Sequence, residues 1–123
     1  MKIIEAIIKA DLTAPNDIEQ ETKVGWLSTV DGLISREILN THCGTEVEFD
    51  GYGEDTDLEE TDLLAPWPYD ELYVDYLVMR MHLVHQEIER YNNAALVYAE
   101  SLRRLEGYIN KRYPHKTVRA LRF

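Results

Sequence analysis

The stretch that decides the fold is LLAPWPYDELYVDYLVMRMHLVHQEIERYNNAALVYAESLRRLEGYINKRYP, residues 63–114. Leu72, Tyr73, Tyr76, Leu77, Arg80, Leu83, Val84, Glu87, Ile88 and Tyr91 recur at spacings of three and four, which predicts a helix over 69–90. Asp70 and Glu71 fall in its first turn, where carboxylates oppose the helix dipole favourably. Pro66 and Pro68 stiffen the approach to it. Tyr91-Asn92-Asn93 reads as a break, because Asn is a good cap for the start of a new helix. A second helix is expected over 94–112, with Ala95, Ala99, Leu102, Leu105 and Ile109 as its stripe and Pro114 as its stop. So short a connection makes the two helices antiparallel neighbours, or else one bent helix.

The same periodicity extends upstream. Ile3, Ile4, Ile7 and Ile8 lie at helical spacing in residues 1–10, with Lys2, Glu5 and Lys9 together on the other face. A strand is the alternative, since isoleucine favours sheets. Thr13, Pro15 and Asn16 form a turn. Asn16 or Asp17 caps a helix expected over 18–40, with Trp26, Leu27, Val30, Leu33, Ile34, Glu37 and Ile38 on one face. Gly25 and Gly32 lie seven apart inside it, each costing about 1 kcal/mol relative to alanine. The simplest expectation is a close approach by another helix, with a kink as the second. The reading is all-α: a small antiparallel helical bundle in one domain, residues 1–123, with a minor short β pairing as an option.

Two segments stand apart by charge. The chain carries a formal net charge of −10. Thirteen acids and no Lys or Arg fall between Glu37 and Met79, while Lys111 to Phe123 holds five Lys or Arg and no acid. Residues 43–64 are expected to be a mobile acidic loop in which 46–49 form a short strand, broken by Gly51 and Gly53. Residues 115–123 are a basic tail able to pair with 46–49. Solvation accounts for both charge runs in the simplest case. They also suit head-to-tail contact between copies, and the net charge disfavours non-specific binding to nucleic acid.

No constellation for chemistry stands out. The acidic loop fails the EF-hand spacing: starting at Asp50 puts Asp55 where glycine is needed. His82 and His85 lack an HExxH or Glu-x-x-His context. Ser28, Ser35 and Ser101 have no nucleophile-elbow setting, and there is no glycine-rich phosphate loop. Cys43 is alone, so no intramolecular disulfide forms. Residues 1–10 are too short and too charged for a signal or a membrane span. The expectation is a non-enzymatic protein, without cofactor, metal or membrane contact, made in the cytoplasm.

Three phrases carry a family likeness: KVGWLSTVDGLISREI (23–38), TDLLAPWPYDELYVDYL (61–77) and EIERYNNAALVYAE (87–100). Through them the chain, over about residues 11–114, resembles the head-tail connector (head-completion, or adaptor) proteins of long-tailed bacteriophages and prophages. The resemblance implies an all-helical protein that stacks as a ring on the portal after DNA packaging and presents the surface where the tail docks. It implies a homo-oligomer, with portal and tail-completion proteins as partners and DNA passing without sticking. It places the protein in the bacterial host cytoplasm during assembly and in the virion afterwards. Gly25, Gly32, Trp67, Tyr69, Lys116, Arg119 and Arg122 are the candidate subunit or partner contacts. The competing reading is an acidic helical protein that inhibits a DNA-binding partner by mimicking phosphate charge.

Overall fold

The computed structural model describes residues 1–116, and Arg119 and Arg122 therefore lie outside the described residues. The architecture is all-α, with four α-helices and no strand among those residues: α1 Ile3–Thr13, α2 Gln20–Glu37, α3 Leu72–Val84 and α4 Ile88–Arg112. Short 3-10 turns follow α2, at Leu39–Thr41, and precede α3, at Tyr69–Glu71.

Helix α3 is the axis of the bundle, packing against each of the other three. Its direction relative to α4 is set by Tyr69 facing Tyr108, Asp75 facing Ser101 and Tyr76 facing Tyr98, so the two run antiparallel. It is also antiparallel to α2, since Trp26 meets Arg80 and Asp31 meets Tyr73. The core is built from Ile3, Ile7, Leu27, Val30, Ile34, Leu72, Tyr73, Leu77 and Met81, with Leu63 and Ala65 from the segment leading into α3. Helix α4 buries only Leu105 and Ile109, so it covers the bundle from outside and leaves much of its length free.

The break between α3 and α4 is at His85-Gln86-Glu87, not at Tyr91-Asn92-Asn93. Gln86 takes a left-handed backbone, φ 57°. Glu87 N–H donates to His82 O at 3.0 Å and Gln86 N–H to Leu83 O at 3.1 Å, the bond pair of a Schellman cap. The Glu87 carboxylate then accepts from Arg90 at 3.1 Å and meets His82 Nδ1 at 3.2 Å. Asn92 and Asn93 lie exposed inside α4.

Three further expectations are corrected. No helix approaches Gly25 or Gly32: a Cβ at either would meet nothing within 4 Å. Residues 46–49 are not a strand, and the backbone of 114–116, the described approach to and start of the tail, pairs with 41–43, while the rest of the tail lies outside the described residues. Cys43 N–H donates to Pro114 O at 2.8 Å and Lys116 N–H to Thr41 O at 2.9 Å, around an isolated bridge between His42 and His115. The face of α2 is also rotated from the expected stripe. Leu33 is 47% exposed, whereas Val24, Leu27, Asp31, Ile34 and Ile38 are buried at alternating spacings of three and four.

A left-handed residue other than glycine costs about 1 kcal/mol or more. Gln86→Gly is therefore expected to stabilise the fold by roughly 0.5–1 kcal/mol, read by thermal or urea denaturation. A loss of stability would mean that the helices do not part at this residue.

Candidate interface surfaces

The acidic loop is held, and a buried carboxylate holds it. Asp31 on α2 is fully buried. It accepts hydrogen bonds from the Tyr52 hydroxyl in the loop, the Tyr73 hydroxyl on α3, and Leu64 N–H at 3.1 Å. Tyr73 Oη in turn accepts from Ala65 N–H at 2.7 Å. Burial pushes the Asp31 pKa up, and the three donors pull it back only in part. Both phenols are raised far above the ordinary tyrosine range, by burial first and by the neighbouring carboxylate second.

Other contacts continue the restraint along the loop. Asn40 brackets Val47, accepting from its N–H at 2.8 Å and donating to its O at 3.1 Å. Tyr52 N–H donates to Ser28 Oγ at 3.0 Å. Gly51 beside it has φ +103°, and a Cβ there would stand 2.9 Å from that same oxygen, so only glycine fits. Ile4 N–H donates to Leu58 O at 3.0 Å and Ile3 N–H to Thr61 O at 3.1 Å, which lays the loop over the start of α1. The expected mobility therefore gives way to a packed strap. Its buried contacts are few in sequence but fall at each bend. Glu48, Asp50, Glu54, Asp55, Asp57, Glu59 and Glu60 all point to solvent, without an ion pair among the described residues.

The opposite charge sits on α4. Tyr69 and Tyr108 stack with centroids 4.8 Å apart. With Arg104, Gly107, Lys111 and Arg112 they line an open groove. Arg104 has a long contact of 3.6 Å to Glu100. Lys111 and Arg112 have no ion-pair partner among the described residues.

The candidate residues read from sequence do not form one site. Gly25 and Gly32 lie on α2 beside the acidic loop, each lining a different shallow groove. Tyr69 is on the α4 side. Trp67 is 83% exposed, at the tip of a turn closed by Tyr69 N–H to Pro66 O at 2.8 Å. Lys116 pairs with Glu46 at 3.6 Å, tying the tail to the loop within one chain. Apolar side chains are also exposed near the α3–α4 turn and further along α4, where Leu83, Val84, Ile88, Leu96 and Val97 are 40–72% exposed. Sequence reasoning missed Asp31, Tyr52 and Tyr73 as a set, and missed the α4 groove. The signal for Asp31 was its place in the alternating three-four stripe of α2.

Among the described residues no group of three or more His, Cys, Asp or Glu is arranged to hold a metal ion, and no helix is long and apolar enough to cross a membrane. No family model matches the chain, and neither a curated protein nor a solved structure matches it.

A carboxyl whose pKa is raised on folding favours the folded state fully below its unfolded pKa, and that contribution fades as pH rises through the folded value. Asp31→Asn removes the titration. The stability of the wild-type protein relative to this variant is expected to fall from about pH 4 upward. Asp75, also raised by burial, shifts both proteins alike and cancels. Urea denaturation across pH 3.5–8 reads the difference, and a flat or rising difference would contradict the assignment.

Proposed function

We propose that this chain is a structural assembly protein of a bacteriophage connector, forming a ring between portal and tail. The observation that carries the reading is the separation of unlike surfaces on one small bundle. A restrained acidic strap lies over α1 and α2, a cationic aromatic groove runs along α4, and Trp67 stands in solvent. Rings are built from heterologous contacts, in which one face meets a different face of the next copy, and such contacts need surfaces that differ. The three phrases that resemble connector proteins fall on α2, on the approach to and body of α3, and on the α3–α4 turn with the start of α4, which border these surfaces. The acidic coat also suits DNA sliding past without sticking. Its action is assembly in the host cytoplasm, with portal and tail-completion proteins as partners and no chemical turnover.

A second reading keeps support from the strap. A protein that inhibits a DNA-binding partner by charge mimicry needs carboxylates on a held backbone, and the restraints on residues 47–64 supply one. Competition between this protein and duplex DNA for a basic DNA-binding domain tests that reading.

For the connector, sedimentation velocity and negative-stain imaging over rising concentration, with and without portal protein, are expected to show an oligomer or ring. Trp67→Ala is expected to weaken it without loss of helicity, because the indole is outside the core. A protein that stays monomeric and ignores portal would overturn the proposal.

A further inference from the structure

We infer that the groove on α4 is the seat for the acidic strap, residues 54–60, of a second copy of this chain. The inference rests on the oligomeric reading proposed for the connector and names the two surfaces that meet. The groove floor carries the Tyr69–Tyr108 stack, and its rim carries Arg104, Lys111 and Arg112. Gly107 lies in the floor, in mid-helix, where glycine is costly. Nothing among the described residues accounts for it: a Cβ there would meet none of their atoms within 4 Å. A bare stretch of helix between cations leaves room for another backbone to come close, and phenol hydroxyls and guanidinium groups beside it are donors for carboxylates.

The complementary surface is the strap. Glu54, Asp55, Asp57, Glu59 and Glu60 are exposed and unpaired among the described residues, on a backbone ordered by its own turns. Gly53 N–H donates to Thr56 Oγ1 at 2.9 Å, Glu59 N–H to Asp57 Oδ1 at 3.0 Å, and Thr61 N–H to Asp57 O at 2.9 Å. A held loop loses less freedom on docking than a loose one. The strap does not serve its own groove. It is fastened to α1 through Ile3 and Ile4, and α3 lies between α1 and α4. The chain's own residues 117–123 carry two arginines and no acid, the wrong sign for the groove. Each copy thus offers one cationic seat and one acidic strap on different sides, a head-to-tail contact that repeats from copy to copy. Opposite charges steer the encounter and fix which faces meet.

The test uses the full-length protein in sedimentation velocity, alone and with portal protein, over a range of salt. One variant is Lys111→Glu with Arg112→Glu, and the other is Asp55→Lys with Glu59→Lys. Each alone is expected to associate at least tenfold more weakly than wild type, and an equimolar mixture of the two is expected to recover association. Salt is expected to weaken the wild-type contact. Gly107→Leu guards against a folding artefact: it is expected to melt at or above the wild-type temperature yet fail to associate. If wild type assembles and both charge variants assemble equally well, the inference falls and the connector reading stands. A wild type that is monomeric in every condition overturns both. If the seat instead binds a single-stranded oligonucleotide, and Lys111→Glu with Arg112→Glu abolishes that binding while leaving assembly intact, the groove is a nucleic-acid site and the inference is wrong.

Discussion

A buried carboxylate is costly unless donors surround it. Asp31 meets that condition with two phenols and a backbone amide, which come from three places in the chain: the strap, the segment leading into α3, and α3 itself. Hydrogen bonds to a charged group contribute about 1.5–3 kcal/mol each, and removing one leaves a buried group unsatisfied. The three parts must therefore arrive together. Asp31 fixes where Tyr52 lies, Tyr52 fixes where the strap crosses α2, and Leu64 fixes how the chain turns into the central helix. Most other features of the molecule depend on that meeting point.

The consequences reach the surface. With Tyr52 and Leu64 tied down, residues 53–62 have no slack, and their acids project from a backbone bonded to α1. On the far side of α3, helix α4 gives up only two residues to the core, so its cationic face stays open. One small bundle thereby carries opposite charges on separate elements. Lys23, buried against Asp11 at 2.8 Å, ties α1 to α2 by the same logic of a paired charge in a poor solvent for ions.

Much of the fold was legible in the sequence because apolar spacing reports helices directly. Ile3 and Ile7 of α1, Leu72, Tyr73, Tyr76 and Leu77 of α3, and Leu105 with Ile109 on α4 are buried as their spacing predicts, whereas Ile8, Leu83, Val84 and Ile88 on the same expected stripes are exposed. The misses have physical reasons. Gln86 ends α3 in a conformation usually taken by glycine or asparagine, whereas Asn92 and Asn93, with better capping chemistry, lie mid-helix. Asp31-Gly32 has the composition of a turn, yet Asp31 belongs to the buried stripe of α2. The strap looked mobile because its anchors are single residues, Val47, Tyr52 and Leu58, spread among acids. Residue types alone do not show that Tyr52 and Tyr73 converge on one carboxylate from 21 and 42 positions away. The groove on α4 was hidden for a related reason, since Tyr69 joins it only after the chain has folded back.

The most direct measurement is hydrogen exchange at the Tyr52, Leu64 and Ala65 amides. Protection comparable to that of α3, lost at all three in Asp31→Ala while α3 stays protected, is the result that Asp31 as the organising contact requires. Fast exchange at those amides in the wild-type protein, or unchanged protection in the variant, would contradict it.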